Sequence, residues 1–577
     1  IWMGTFHSVF ARILRSEAPL LGYPTNFTIY DTYDSERLVS NIIKELNLNK
    51  DHYKAKQIRN RISSLKNNFI TVENYFNNPE IIEVDKMSKR SEFGIIYKKY
   101  VERCFRSSVM DFDDLLLKTN ELLNKFPEVL SKYQDKFRYI LVDEYQDTNY
   151  SQYLIIKALS DRHQNLCVVG DDSQSIYSFR GANIDNILNF KKHYPDCKIY
   201  KLEQNYRSSN NIVQCANSLI QNNQFKLDKT IWTQNNDGEK IIINKSLSDS
   251  DEGRYVASDI FERKNNELLN NSSFAVLYRT NAQSRAVEDA LRKINIEYQV
   301  FGGLSFYQRK EIKDILAYLR LIENLNDEES LRRIINFPPR GIGQTTLDKL
   351  TLISEKQNIS LFDSISNLND PSFKINKGTI EKLENFMNQI LSFKVFSQNK
   401  NAFETVSHII NKIQIVNFYK NEGSLESFNR IENIEELVNG INDFIEGQEE
   451  LFESDKSLSK YLEDVALYSE TDKEASNEKV SLMTVHMAKG LEFPIVYVLG
   501  MEENLFPSIM SINSREEVEE ERRLFYVAMT RAEKSLTLSH CNQRFKWGNL
   551  IECEPSRFLS EVDNKYTNKN SLIQQQP

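Results

Sequence analysis

The run Phe137-Arg-Tyr-Ile-Leu-Val-Asp-Glu-Tyr-Gln-Asp-Thr carries an apolar stretch into two adjacent acids, Asp143 and Glu144. At the carboxyl edge of an open α/β sheet, where ligands bind, such a pair can divide its labour. Asp143 would hold a hydrated Mg2+, and Glu144 would act as base toward an attacking water. Two solvated acids ahead of a helix cap are the other reading, and the full Asp-Glu-Tyr-Gln-Asp-Thr string weighs against it. A second run, Val168-Val-Gly-Asp-Asp-Ser-Gln-Ser-Ile-Tyr-Ser-Phe-Arg-Gly-Ala, adds three functions. Gly170 ends a strand and lets the backbone turn sharply, and Gln174 offers an amide to a terminal phosphate. Tyr177 and Phe179, two apart in an extended stretch, present ring faces for bases, with Arg180 beside them. Isolated aromatics would be read as core; sharing a loop with Gln174 favours stacking.

Three further segments continue the pattern. In Leu202-Glu-Gln-Asn-Tyr-Arg-Ser-Ser, Tyr206 could pack on an adenine and Arg207 could reach a γ-phosphate, since a guanidinium matches phosphate geometry. Taken alone, that segment is a strand end with an arginine. In Val480-Ser-Leu-Met-Thr-Val-His-Met-Ala-Lys-Gly-Leu-Glu-Phe-Pro, His486 has no Cys or His neighbour at ligand spacing, which argues against zinc. Thr484 and His486 read as donors to a nucleic-acid backbone, and Glu492 as an acceptor from a ribose hydroxyl. Glu520-Glu-Arg-Arg-Leu-Phe-Tyr-Val-Ala-Met-Thr-Arg-Ala-Glu reads as a helix with Arg531 near its end, suited to act as an arginine finger.

These residues need an α/β frame. Short apolar runs at Tyr139–Glu144, Leu166–Asp171, Ile199–Glu203, Phe274–Tyr278, Val480–Val485, Pro494–Leu499 and Leu536–Leu538 are expected to be buried parallel strands. Residues 30–135 and about 310–470 show apolar side chains at three- and four-residue intervals and are expected to be helical. The chain therefore alternates helical insert and α/β layer, and a polar tail after about residue 565 is expected to be loose.

At 577 residues the chain is too long for one core, and 40% hydrophobic with 27% charged residues excludes a disordered protein. A net charge of −9 argues against holding nucleic acid by a bulk basic field, but leaves room for a local groove with stacking aromatics. No apolar run is long enough to span a bilayer. The six cysteines form no C-x-x-C pair, so neither a disulfide framework nor a zinc site is expected, and a cytoplasmic setting fits.

Taken in order, the five segments resemble motifs II to VI of superfamily 1A DNA helicases of the UvrD/PcrA/Rep type. Thr5-Phe-His-Ser looks like the family's earlier DNA-contacting motif, which brings in Thr5 and His7. Asn336-Phe-Pro-Pro-Arg-Gly-Ile-Gly-Gln-Thr-Thr is similar to its Gly-Ile-Gly element on duplex backbone, with Gly341 and Gly343. Gly302-Gly-Leu-Ser-Phe-Tyr-Gln-Arg-Lys-Glu-Ile-Lys-Asp matches the start of its large helical insert. The likeness covers nearly the whole chain, and Trp547 joins the DNA contacts it implies.

The resemblance implies two RecA-like α/β motor domains, each interrupted by a helical insert. The first would comprise 1–29 and 116–205 with its insert at 30–115. The second would comprise 206–305 and 476–565 with its insert at 306–475, leaving 566–577 as the tail. It implies ATP and Mg2+ between the motors, served by Asp143, Glu144, Gln174, Tyr206, Arg207, Glu492 and Arg531. It further implies 3′-to-5′ movement on single-stranded DNA and at single/double-strand junctions, in repair or replication, with partner proteins of those pathways and no membrane. A helicase–nuclease subunit and a non-catalytic DNA-binding scaffold are the alternatives.

Two departures matter. The family's G-x-x-x-x-G-K-[ST] loop occurs nowhere in these residues. The chain opens mid-element without an initiator Met, as expected of a piece whose loop lies ahead of residue 1. Such a piece is expected to lack ATP turnover. Phe179 also stands where many relatives have Trp, which keeps an aromatic face but weakens stacking.

Overall fold

A computed structural model describes the chain except residues 31, 50–51, 302–305, 358, 368–374, 450–454, 463–464, 466–477, 547–548 and 572–577. The chain divides into two compact units, residues 1–202 with 223–229 and residues 203–222 with 230–577.

In the first unit, β1 (Thr28–Tyr30) pairs in parallel with β2 (Val109–Asp111), and β3 (Ile140–Val142) pairs in parallel with β4 (Leu166–Val168). The rest is mainly helix, as the three- and four-residue periodicity predicts. One apolar core runs from Val39 to Cys104. Another joins Phe10, Ile13 and Leu14 to Met110, Leu115, Tyr133 and Ile155. A buried Lys66 braces helix Ala55–Asn67 against the start of helix Phe112–Lys125, with its ammonium 2.7 Å from Asp111 and 2.8 Å from Asp114.

β3 and β4 are less enclosed than the apolar runs suggest: Leu141 in β3 is 78% exposed, Cys167 in β4 is exposed, and Val169 just beyond β4 is 50% exposed. Among the described residues these two strands pair only with each other, and the face that carries Leu141 and its register partner Cys167 meets solvent. The expected strand at 199–203 does not form either. Ile199, Tyr200 and Leu202 are exposed and gain no burial to hold them in a sheet. The nearby pairing is the two-residue β5 (Gln204–Asn205) with β6 (Trp232–Thr233), which belong to the second unit.

The second unit is built on one parallel sheet. Its strands are β7 (Ile241–Ser246), β8 (Phe274–Tyr278), β9 (Tyr298–Val300), β10 (Val480–Thr484), β11 (Phe493–Val498), β12 (Ala532–Cys541) and β15 (Thr567–Ser571). A hairpin of β13 (Gln543–Lys546) and β14 (Asn549–Glu552) precedes the last of them. The spatial order is β15-β7-β12-β11-β8-β10-β9. β8 is buried at every position, as its unbroken Phe-Ala-Val-Leu-Tyr sequence requires of a strand covered on both faces. The tail reading needs correction at β15, which pairs with β7 from Thr567 to Ser571. An edge strand is held by backbone hydrogen bonds and tolerates Thr, Asn and Lys side chains, so the segment's polarity concealed it. Between β9 and β10 the chain forms a helical insert with its own core, from Phe306 to Val465.

Candidate nucleotide and nucleic-acid site

β3 delivers Asp143 and Glu144 to solvent at its carboxyl end. Asp143 Oδ1 accepts the Glu144 N–H at 2.9 Å. Glu144 has φ +50° and ψ +42°, a left-handed conformation that costs a residue with a Cβ about 1–3 kcal/mol and must be held by its surroundings. The hold is Gln146, wholly buried, whose Nε2 donates to Glu144 Oε2 at 2.6 Å while its Oε1 accepts the Asp171 N–H at 2.9 Å. The amide therefore ties the acidic loop to the segment after β4.

Gly170 explains why the two segments can lie this close. A Cβ there would stand 2.5 Å from Gln146 Oε1 and 2.9 Å from Ile187 Cδ1. Its backbone is not left-handed, so close approach, rather than the expected sharp turn, is what demands glycine. Beyond it, Gln174 donates its Nε2 to Asp171 Oδ2 at 2.8 Å. Tyr177 and Phe179 are not in an extended stretch. Ser178–Arg180 is a single 3-10 turn closed by Gly181 at φ +88°, whose N–H donates to Ser178 O. The turn still brings the rings together, with centroids 6.0 Å apart, and sets the Arg180 guanidinium 5.3 Å from Tyr177 and 5.4 Å from Phe179. Phe179 is 59% exposed.

Thr5, also in the first unit, caps helix Phe6–Glu17 by accepting the Ser8 N–H at 3.3 Å. His7 packs edge-on against Phe112, and burial lowers its pKa.

In the second unit Arg207 donates from Nε to Glu492 Oε2 at 2.7 Å and from Nη1 to Thr530 O at 3.1 Å. Tyr206 is largely exposed, and its hydroxyl donates to Gln204. Arg531 lies just past helix Arg515–Met529 and is buried rather than projecting. It donates to Val527 O at 3.0 Å, Leu491 O at 3.1 Å and Thr530 Oγ1 at 3.1 Å. Thr484 ends β10 and begins the short helix Val485–Ala488 without a side-chain cap bond, and His486 is half-buried on that helix.

In the helical insert, Asn336 Oδ1 accepts the N–H groups of Arg340 and Ile342 at 2.9 and 3.1 Å. The Arg340 guanidinium donates to the Tyr318 hydroxyl and to the carbonyls of Ile334 and Phe337. This lattice fixes a loop in which Gly341 has φ +74° and lies against the Lys382 ammonium, 2.8 Å from where a Cβ would stand, while Gly343 has open space around it. Trp547 lies outside the described residues.

Residues 1–195 match the UvrD/REP helicase N-terminal domain and residues 200–543 match the UvrD-like helicase C-terminal domain. An ATP-dependent DNA helicase PcrA of Staphylococcus epidermidis is 40% identical over 97% of this chain and 76% of its own length. One from Staphylococcus aureus is 40% identical over 100% of this chain and 78% of its own. The chain belongs to the UvrD/REP helicase family.

For the family's nucleotide and metal, the donor chemistry divides. The exposed carboxylate oxygens of Asp143 and Glu144 fit a hard, hydrated divalent cation. Among the described residues the other close group of ligand-type side chains is Glu252, Glu502 and Cys541. Arg544 engages it, 2.9 Å from Glu252 and 2.7 Å from Glu502, so no metal fits there. Arg207, a guanidinium already on a carboxylate, fits a phosphate group once Glu492 yields it.

Sequence reading missed Gln146, Asp171 and Lys229, whose bonds hold the loops that carry Glu144 and Gln174. Gln146 lay within the quoted acidic string and Asp171 within the second run. Their bonds to each other span 25 residues, and those of Lys229 to Asp171 span 58, so no local spacing reveals them.

Proposed function

We propose that this chain is the motor of an ATP-dependent DNA helicase that moves 3′ to 5′ along one strand and parts the duplex ahead of it. The observation that carries the reading is the strained, exposed Glu144 locked by Gln146 to the loop that holds Gln174, within a chain of helicase family membership. In this reading Glu144 takes the proton of the attacking water, and Gln174 leaves Asp171 to sense the terminal phosphate. Asp143 holds Mg2+ through water; the ion supplies positive charge against the phosphates when bound. Arg207 and Arg531 exchange their present oxygen partners for phosphate oxygens, and Tyr206 lies on the adenine. Glu492, released by Arg207, is free to accept from the ribose. The Tyr177–Phe179–Arg180 cluster stacks bases, Thr5, His7, Thr484, His486 and Trp547 hold the strand, and the Gly341–Gly343 loop meets duplex backbone.

The described residues contain no helix long and apolar enough to cross a membrane. All six thiols are free, and we assign the protein to the cytoplasm, where repair or replication proteins would be its partners.

The test uses duplexes with a 3′ or a 5′ single-stranded tail and the full-length protein. ATP-dependent unwinding of the 3′-tailed substrate alone is expected. Unwinding from the 5′ tail would overturn the direction, and DNA binding without ATP turnover would favour a scaffold. The 577-residue polypeptide by itself contains no G-x-x-x-x-G-K-[ST] cradle for phosphates, and we expect it to bind single strands without hydrolysing ATP.

A further inference from the structure

Lys229 is neither in a recognised motif nor near one in sequence, yet its ammonium ends on the loop that carries Gln174. It pairs with Asp171 and, at 2.5 Å, with Asp172, while its side chain is only 18% exposed. Asp172, buried, is further fixed by the Leu227 N–H, which donates to its Oδ2 at 2.9 Å. Asp171 divides its own groups. One carboxylate oxygen meets Lys229, the other accepts Gln174 Nε2 at 2.8 Å, and its N–H donates to Gln146 Oε1, whose Nε2 reaches Glu144. A continuous line of bonds therefore joins Lys229 to both residues assigned to γ-phosphate chemistry.

The ammonium lies between two adjacent carboxylates and is bonded to both. Burial opposes the charges of Lys229 and Asp171, but the pairing prevails and holds Lys229 above and Asp171 below its ordinary pKa. Without the cation, the two neighbouring acids lose the partner that holds them side by side, and the loop would shift to separate them. The anchor comes from an unusual place in the chain. Residues 223–229 group with the first unit although the residues on both sides belong to the second, and Lys229 is the last of the seven.

We infer that Lys229 is a positioning residue for ATP hydrolysis: by clamping Asp171 and Asp172 it sets the placement of Gln174 and, through Gln146, of Glu144. The inference rests on the roles given above to Glu144 and Gln174. In the full-length protein with saturating single-stranded DNA, Lys229→Met should lower kcat about tenfold or more, the size expected of catalytic groups displaced by a fraction of an ångström. KM for ATP should stay within about twofold, and DNA affinity should be unchanged. Lys229→Arg should restore most of kcat, since it returns the charge. Amide exchange over residues 171–176 should accelerate in the Met variant and not in the Arg variant. Asp171→Asn approaches the same link from its other end, and its kcat loss should not add to that of Lys229→Met.

A Met variant with wild-type kcat overturns the inference. So does one that loses kcat with exchange unchanged, or one whose loss adds fully to that of Asp171→Asn. If the wild type shows no DNA-stimulated ATPase, the functional reading fails by itself. The exchange comparison then still decides whether Lys229 holds the loop, unchanged exchange overturning the claim.

Discussion

Glu144 spends backbone strain at the end of a strand, and the buried amide of Gln146 keeps it there. Holding a carboxylate in a sparsely populated conformation makes sense where its direction matters more than its stability. In the full-length protein Glu144→Gln should therefore abolish turnover while leaving nucleotide and single-strand affinity near wild type, because only proton handling is removed. Phe179→Ala should do the opposite, weakening single-strand binding by about 1–3 kcal/mol for one lost stacked base and uncoupling hydrolysis from movement. Steady-state ATPase and a fluorescence titration separate the two; equal ATPase loss in both variants with unchanged DNA affinity would contradict the division. At this scale the sequence was most legible where chemistry is local. Asp143, Glu144 and Gln174 could be singled out by type and by the strand or loop they follow, whereas Arg207 stood out only through its place in the ordered set of motifs. Gln146 and Lys229 act through partners far away in the chain, and the inward pose of Arg531 depends on carbonyls that any residue could supply.

Among the elements, the buried strands could be read directly: Phe274–Tyr278 is apolar and buried throughout, and Val480–Thr484 is buried at all but its last residue. The two- and three-residue strands β1, β2, β5 and β6 carry no such signature, and β15 was concealed by its edge chemistry. The join between the second unit's sheet and its insert is equally hidden, because it is ionic. Arg285, on helix Ser284–Lys293, is buried and donates to Glu436 at 2.7 Å and Asp443 at 2.9 Å on helix Leu425–Glu449, with Asp289 at 3.3 Å. Gly440 leaves room for it: a Cβ there would come within 2.7 Å of Arg285 Nη1. Removing the cation takes the shared partner from a cluster of mostly buried acids, although Asp289 keeps Arg292 and Asp443 keeps Ser250, so Arg285→Met should destabilise the second unit by about 3 kcal/mol. Gly440→Ala should act in the same direction through the crowded guanidinium. Urea unfolding of the variants measures both, and a loss under about 1 kcal/mol for Arg285→Met, the scale of a surface pair, would show the network to be dispensable.

For the molecule as a whole, the order of strands in the seven-stranded sheet has a consequence in time. β7, β8 and β9 precede the helical insert, and among the described residues each is flanked only by strands that follow it: β7 by β15 and β12, β8 by β11 and β10, β9 by β10. A nascent chain therefore carries three apolar strands with no partner among them while the entire insert is being made. The insert has its own core and can fold meanwhile, but not one rung of the sheet can close until Val480 and the strands beyond it have emerged. Such non-local closure is slow and leaves strand edges open to other chains. Within the second unit, a chain stopped at residue 470 should consequently show protease protection over the insert alone and should aggregate through residues 241–300. One stopped at residue 571 should protect both, and protection of β8 in the shorter chain would argue otherwise. The strands made first in this sheet must wait for those made last, which makes its exposure to misassembly longest just before completion.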